Sequence, residues 1–326
     1  MKINKYKFFI IYFLILIESN KIFYYSNILN EIKKNIDREL FLKNITQFYM
    51  KLRIQFLSKR NITYNENNLV TFQDKLNYLI IHESPEYKSL LVDKIKLHAY
   101  SKKVLGKDIC VPILKIYDNI NKINFEDLPN QFVLKLNHGS GMNIICNNKS
   151  KLNISETLKI LEKWKNFNYG LNRTEFQYLY VKRKIFAEKY LSDNLINYKI
   201  FCINGHPKFI RVRKIKKNEN IKITYHYNLN WELNNLESGL KGYIRDPNET
   251  IPKPKNLDLM IKYAKLLSQE FVFVRVDLYD VNNTVYLGEL TFSPRNNQIY
   301  RENKEQSINM GKLVDLTKIK SYLFNK

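Results

Sequence analysis

Residues 271–294 constrain this chain more than any other segment, and they read FVFVRVDLYDVNNTVYLGELTFSP. Apolar and polar residues alternate on both sides of the Asn-Asn pair, which is the period-two pattern of β-strands. The segment therefore predicts a hairpin with strands at 271–280 and 285–292. Arg275, Asp277 and Glu289 are charged residues within these apolar strands, so the pairing register decides which of them share a face.

The register decides above all whether Asp277 and Glu289 can act together. A regular two-residue turn at Asn282 and Asn283 would pair Asp277 with Gly288 and would turn Glu289 to the opposite face of the sheet. A three-residue loop or a bulge would place both carboxylates on one face. We predict an odd-numbered loop or a bulge, with an Asn or its neighbour at positive φ, because Asn tolerates that conformation well.

Two carboxylates on one face would suit a divalent cation. Mg²⁺ takes hard oxygen ligands and accompanies phosphates, and the Thr291 hydroxyl would lie on the same strand face as Glu289. The alternative is a cross-strand charge network that includes Arg275 and needs no metal. The sequence pattern leaves both interpretations open.

A second candidate site surrounds Lys135. The segments QFVLKLNH and MNIICN, at residues 131–138 and 142–147, predict two strands joined by Gly139, Ser140 and Gly141. A glycine-rich turn lets backbone N–H groups approach phosphate oxygens closely, and Lys is a point charge that suits phosphate. The alternative is a tight hairpin whose lysine extends into water.

The third candidate is FAEKYL at residues 186–191. Glu188 would lie at the end of a strand, where its carboxylate could accept hydrogen bonds from ribose hydroxyls while apolar neighbours hold an adenine ring. The alternative is an ordinary charge on an edge strand.

The remaining predicted helices and strands are interspersed without regular βαβ units, which indicates an α+β fold. Further strands are predicted at 184–191, 198–204 and 208–213, and helices around 76–80, at 85–104, from the capping residues Asn153 and Glu156 onward, and at 256–269. Asn204-Gly205 predicts a tight turn between the second and third of these strands.

The chain carries 54 Lys and Arg against 31 Asp and Glu, a formal net charge of +23. Such a charge attracts polyanions, but the abundance of Lys, Asn and Ile is also typical of an AT-rich gene. No nucleic-acid recognition motif accompanies the charge, so nucleic-acid binding is not expected. Cys110, Cys146 and Cys202 are far apart and odd in number, which favours a reducing cytoplasm, and neither they nor the histidines show metal-ligand spacing.

The N-terminus carries an apolar run at residues 8–17 after three lysines. Ten residues are half of the roughly 20 needed to cross a bilayer. A basic start and a short apolar run are also the pattern of a secretory signal, but no small-residue cleavage site follows the run. A helix lying on the inner face of the membrane, through residues 1–20, and a helix buried in the fold both remain open.

Three stretches, LPNQFVLKLNHGSGMNIIC, YKIFCINGHPKFIRV and FVRVDLY…YLGELTFSP, resemble the TupA-like ATP-grasp proteins and follow that family's order from about Thr71 to Pro294. The resemblance implies an ATP-grasp fold, in which two α+β lobes hold ATP between them, with a mainly helical N-terminal extension. We therefore expect a peripheral extension with a short apolar segment at 1–65, a helical lead-in at 66–128 and an ATP-grasp domain at 129–326, whose lobes are 129–191 and 192–326.

The resemblance also implies a role for each candidate residue. It gives catalysis to Arg275 and Lys199, nucleotide contacts to Lys135, Gly139, Ser140, Gly141, Glu188, Tyr190 and Leu191, and Mg²⁺ binding to Asp277, Glu289 and Thr291. Two positions depart from the family pattern. Thr291 stands where the metal motif usually has Asn, although Thr still offers an oxygen. Arg295, Asn296 and Asn297 replace a glycine-rich stretch, which concerns the acceptor side of the site.

The implied activity is that of an ATP-dependent carboxylate–amine ligase. Mg-ATP would phosphorylate a carboxylate, and an amine would then attack the acylphosphate. The family implies that the substrate is a small molecule or polymer precursor of teichuronic acid or a related surface polysaccharide, handled in the cytoplasm or at the inner face of the membrane. The alternatives are a glycosyltransferase of the same pathway, for which a convincing DXD-like pair is lacking, and a non-catalytic module that binds membrane or polymer.

Overall fold

The computed structural model of the protein describes residues 67–319, apart from 84, 174, 194, 217–220, 235–242, 245–250 and 295–302. The chain divides into two compact units, Met1–Tyr64 and Asn65–Lys326, and every described residue belongs to the second. The predicted extension at 1–65, with its apolar run, and the departure at 295–297 lie outside the described residues. Within the described ranges, no helix is long and apolar enough to span a membrane.

The described ranges contain both helices and strands. The α-helices are α1 (Phe72–His82), α2 (Pro85–Val92), α3 (Leu97–Leu105), α4 (Ile154–Asn166), α5 (Tyr169–Arg173), α6 (Leu257–Ser268) and α7 (Lys304–Lys312). The strands are β1 (Ile113–Tyr117), β2 (Phe132–Leu136), β3 (Asn143–Cys146), β4 (Ile185–Lys189), β5 (Asn197–Ile203), β6 (His206–Lys216), β7 (Ile221–Tyr227), β8 (Tyr243–Ile244), β9 (Phe273–Val281) and β10 (Thr284–Thr291).

The strands form two sheets, a four-stranded sheet in the order β1-β4-β2-β3 and a six-stranded sheet in the order β10-β9-β5-β6-β7-β8. β8 runs parallel to β7, and the other paired strands are antiparallel. Every strand predicted from the sequence is present with small shifts at its ends, so the α+β prediction is confirmed. β1, within the region predicted as a helical lead-in, pairs with β4 and belongs to the smaller sheet.

Helices cover both faces of the six-stranded sheet. The main core contains α6, whose Met260, Ala264 and Leu267 are fully buried with residues of β5 and β9. A smaller cluster lies on the other face, where α1 and α7 pack on aromatic residues of β5, β6 and β9. There Phe72 of α1 meets Phe273 edge-on, with ring centroids 5.5 Å apart. The helices therefore pack on both faces of the sheet that contains the charged hairpin and hold it in place.

The helix predicted at 85–104 is broken in two. α2 ends at Val92 because Asp93 Oδ1 accepts hydrogen bonds from the backbone N–H of Ile95 at 3.0 Å and from Asn137 Nδ2 at 3.0 Å. Asp favours such local bonds over a helix interior. The break places Lys94 outside both helices, next to the glycine-rich turn.

Candidate active site

The hairpin of β9 and β10 combines a two-residue turn with a bulge. Asn282 and Asn283 both have positive φ, at 50° and 59°, and Val281 pairs with Thr284. The pairing then shifts between Leu287 and Glu289, so that one extra residue, Gly288, brings Glu289 opposite Asp277. The predicted bulge and the positive-φ Asn are confirmed, and the alternative of a three-residue loop is wrong.

Gly288 leaves room at the bulge for the aromatic ring of Tyr279. A Cβ atom added there would lie 2.7 Å from the ring of Tyr279, closer than side-chain carbons approach each other in folded proteins. A side chain at position 288 would therefore displace the Tyr279 ring, and glycine avoids this displacement.

Asp277 lies at the centre of the charged residues and is fully buried. Arg275 binds it in a fork, with Nε 2.6 Å from Oδ1 and one terminal nitrogen 2.8 Å from Oδ2. Lys199, opposite Asp277 in the pairing of β5 with β9, also donates to Oδ2. Burial alone would favour the neutral acid, but the two cations hold the Asp277 pKa well below its usual range. Burial and the Arg275 charge lower the pKa of Lys199 to about 8.

Glu289 and Thr291 meet Arg275 on the same face. A terminal nitrogen of Arg275 donates to Glu289 Oε1 at 2.9 Å and to Thr291 Oγ1 at 3.0 Å, and the Thr291 hydroxyl donates to Glu289 at 3.1 Å. These side chains therefore form the charge network that was the alternative to a metal site. The set still fits Mg²⁺, because Asp277, Glu289 and Thr291 offer only hard oxygen donors and the Glu289 side chain remains 22% exposed.

In the smaller sheet, Lys135 of β2 forms an ion pair with Glu188 of β4. The turn after β2 packs closely on α5, since a Cβ atom on Gly139 would lie 2.8 Å from the ring of Tyr169. Glycine is therefore needed in this turn for close approach. The predicted phosphate-binding lysine and the predicted hinge carboxylate thus bind each other when no ligand separates them.

A cleft of about 510 Å³ is lined by residues of both sheets. All seven residues predicted to contact the nucleotide line it, together with Lys199 and Glu289. Arg275, Asp277 and Thr291 are not lining residues, but each bonds directly to Lys199 or Glu289. The structure thus brings all the predicted site residues together around one cleft, with apolar groups such as Val133 and Leu195 beside the charged ones.

Lys94 is a cleft residue that the sequence interpretation missed. Its Nζ donates to the carbonyl oxygen of Gly139 at 2.6 Å and lies 4.0 Å from Glu289 Oε2. Burial is the main cause of a lowered Lys94 pKa, and nearby Lys135 adds to it. The signal that could have identified it is Asp93, a residue type that ends helices more readily than it continues them.

A buried carboxylate, Glu175, was also missed. It accepts hydrogen bonds from the hydroxyls of Tyr169 at 3.2 Å and Ser293 at 3.3 Å. Burial raises its pKa to about 7, and the negative charge of Glu289 contributes to the rise. No sequence pattern joins residues 169, 175 and 293, so only the fold reveals this group.

His98, Asp108 and Cys110 offer ligand atoms within 4.8 Å of one another, although their spacing in the sequence indicates no metal site. His98 Nδ1 pairs with Asp108 Oδ2 at 2.7 Å, and Asp108 Oδ1 accepts from the backbone N–H of Cys110 at 3.0 Å. We interpret this group as the anchor of the loop that follows α3.

A family model described as TupA-like ATPgrasp matches residues 74–315. Among curated proteins, none matches the chain significantly. Similar solved structures include a D-alanine-D-alanine ligase from Helicobacter pylori, with 17% identity over 78% of this chain and 71% of that one and a TM-score of 0.41. The corresponding ligase from Bacillus anthracis complexed with ATP shows 17% identity, coverage of 87% and 93%, and a TM-score of 0.42. N5-Carboxyaminoimidazole synthetase from Staphylococcus aureus complexed with ADP shows 16% identity, coverage of 71% and 54%, and a TM-score of 0.41.

Proposed function

The chain belongs to the TupA-like ATP-grasp family, and from this premise we propose that it is an ATP-dependent carboxylate–amine ligase. It would use Mg-ATP to convert a substrate carboxylate into an acylphosphate and would pass the acyl group to an amine. One observation carries the proposal: lysines from both sheets converge on a single cleft whose edge holds an oxygen-only ligand set.

The cleft residues fit each part of Mg-ATP. Lys94, Lys135 and Lys199 supply positive charge for phosphates, and the glycine-rich turn supplies backbone N–H groups. The carboxylate of Glu188 suits ribose hydroxyls, and Tyr190 and Leu191, which follow it in the chain, suit the adenine ring. Asp277, Glu289 and Thr291 would hold Mg²⁺, which when bound neutralises charge on the phosphates.

Arg275 would stabilise the charge that develops during phosphoryl transfer. Its guanidinium is held by Asp277 on one side and by Glu289 and Thr291 on the other, so its orientation is set before substrate arrives. Fixed donors in a site that excludes water are the usual source of such stabilisation. Arg275 and Lys199 together carry the catalytic charge in this proposal.

The finer role is also a proposal, and family resemblance is its support. The acid or the amine would belong to a precursor of teichuronic acid or a related surface polysaccharide, handled in the cytoplasm or at the inner face of the membrane. In this proposal residues 1–65 are a peripheral extension that contacts the membrane through residues 1–20. Residues 66–128 lead into the domain, and residues 129–191 and 192–326 are its two lobes.

The test is ADP release from Mg-ATP in the presence of cell-envelope extract, with hydroxylamine added as an amine. Hydroxylamine converts an acylphosphate into a hydroxamate, which gives a coloured iron complex. We expect both ADP and hydroxamate from the wild-type protein and neither from Arg275→Met. Release of a nucleotide from a sugar nucleotide would instead support a glycosyltransferase, and absence of ATP binding would support a non-catalytic module.

A further inference from the structure

The side chain of Glu175 connects the two lobes away from the cleft lining. Glu175 precedes a short 3-10 helix, Phe176–Tyr180, and accepts hydrogen bonds from Tyr169 and Ser293 through its two carboxylate oxygens. Gln177 also donates to the Ser293 hydroxyl at 3.3 Å, so Ser293 is held from two directions. All four side chains are buried. We call Tyr169, Glu175 and Ser293 the carboxylate bridge.

Each end of the carboxylate bridge touches a part of the candidate active site. The Tyr169 ring packs against Gly139 in the glycine-rich turn of the first lobe. Ser293 follows Thr291 by two residues, where β10 ends. The bridge therefore joins the turn that would approach phosphates to the strand that would hold the metal.

The carboxylate of Glu175 bonds only to neutral donors among the described residues. Three other buried carboxylates of the described ranges, Glu83, Glu188 and Asp277, bond directly to a Lys or an Arg, whereas Asp93 bonds to a backbone N–H and an amide. The hydrogen bonds to Glu175 within the same ranges come from hydroxyls. Removing a carboxylate from water without a direct cation is costly, and such costs are most often retained where a side chain serves function.

Charged groups of the active site act on Glu175 from neighbouring strands. The pKa of Glu175 is raised to about 7; burial is the main cause, the Glu289 carboxylate on β10 contributes to the rise, and Arg275 on β9 opposes it. The phenol of Tyr178, in the adjoining 3-10 helix, lies in the same electrostatic environment. A change in the charge of Glu289 on β10 therefore changes the pKa of Glu175.

We propose that Glu175 is a positioning residue for metal-dependent nucleotide binding, which holds the glycine-rich turn and the end of β10 in register through Tyr169 and Ser293. The inference rests on the proposed function, because it presumes that a nucleotide and Mg²⁺ bind in the cleft. The ionised carboxylate accepts from both hydroxyls at once. A neutral side chain must reverse one of these bonds, which loosens one end of the bridge.

The test compares ADP binding with Mg²⁺ and in EDTA, by calorimetry at pH 8. We expect Glu175→Gln and Ser293→Ala to weaken Mg-ADP binding about tenfold, while ADP binding in EDTA changes little. Two control variants should behave as wild type. Glu126→Gln removes an exposed carboxylate, and Tyr117→Phe removes a buried hydroxyl that has no hydrogen-bond partner among the described residues.

A purely structural role for Glu175 would give a different result. It would lower the urea midpoint of Glu175→Gln and leave the ratio of the two ADP affinities at the wild-type value, which would overturn the inference. A wild-type protein that binds no ADP at all would refute the proposed function itself. Separate measurements therefore distinguish failure of this inference from failure of the proposed function.

The pH dependence provides a second readout. Glu175→Gln resembles the protonated acid, so the wild-type and variant proteins should bind Mg-ADP alike well below pH 7. The wild type should gain its advantage as pH rises through about 7. Parallel pH profiles for the two proteins would contradict the proposal.

Discussion

Replacing Lys135 with Met tests whether the cations of the cleft serve a ligand or the fold. Considered as an exposed hairpin residue, Lys135 should matter little to stability. The structure changes that expectation, because Lys135 pairs with Glu188, whose side chain is only 9% exposed. Removing the cation leaves a carboxylate buried without a partner. Loss of one member of a fully buried pair costs about 3–5 kcal/mol, and since Lys135 faces the cleft we expect about 2 kcal/mol.

The double variant Lys135→Met with Glu188→Gln separates the two roles. Neutral groups replace both members of the pair, so the expected loss of unfolding free energy falls below about 1 kcal/mol. Nucleotide binding should not recover, because the phosphate-facing charge is still missing. At a hundred times its dissociation constant, Mg-ATP should stabilise the wild type by about 2.7 kcal/mol and the double variant by far less.

Urea unfolding with and without Mg-ATP measures both quantities. Lys159→Met is the matched control, since Lys159 is exposed on α4, and it should follow the wild type in both series. A double variant that gains as much from Mg-ATP as the wild type would refute the nucleotide role of Lys135. A single Lys135→Met variant as stable as the wild type would refute the argument from the buried pair.

Further predictions concern the strands and the pH response. Gly288→Ala should lower the unfolding free energy by about 1–3 kcal/mol, because the added Cβ meets the Tyr279 ring; an unchanged urea midpoint would contradict this. Lys94→Met should weaken Mg-ATP binding about tenfold in calorimetry, and equal affinity would remove Lys94 from the site. Thr291→Asn should keep Mg²⁺-dependent ATP binding within a few-fold, since both side chains offer an oxygen; loss of the Mg²⁺ dependence would count against this ligand set. The pKa of Lys199 is about 8 in the folded protein, which is lower than in the unfolded chain. Above pH 8 the unfolded state therefore holds more protons than the folded state, and the free energy of unfolding should rise from about pH 8 to 10. The Lys199→Met variant should lack this rise.

The sequence pattern was sufficient for elements whose signal is local. Alternation identified the strands of the β9–β10 hairpin, and the Asn-Gly pair at 204–205 identified a turn in which both residues have positive φ, at 52° and 77°. The family-like stretches then identified the residues of the cleft. Each of these signals lies within a few consecutive residues, where backbone preferences and the alternation of side chains determine the local structure directly.

What the sequence pattern missed depends on contacts between distant residues. The position of the bulge at Gly288 follows from packing against Tyr279 on the neighbouring strand, and an odd-numbered loop would satisfy the same pattern. Lys94 reaches the cleft because Asp93 bonds to Asn137, 44 residues away. Ser293 and Glu175 are 118 residues apart in the chain, so nothing local relates them.

Three cations of the candidate active site are paired with carboxylates, and this pairing has a consequence for what can enter the cleft. Lys135 holds Glu188, Lys199 holds Asp277, and Arg275 is shared with Glu289. A polyphosphate without a metal that bound these cations would leave the carboxylates without a counter-charge. A polyphosphate that arrives with its own divalent cation allows an exchange of partners, in which phosphates go to the lysines and the metal goes to the carboxylates. The site would thus admit metal-complexed nucleotide in preference to the many other polyanions that a chain of charge +23 attracts.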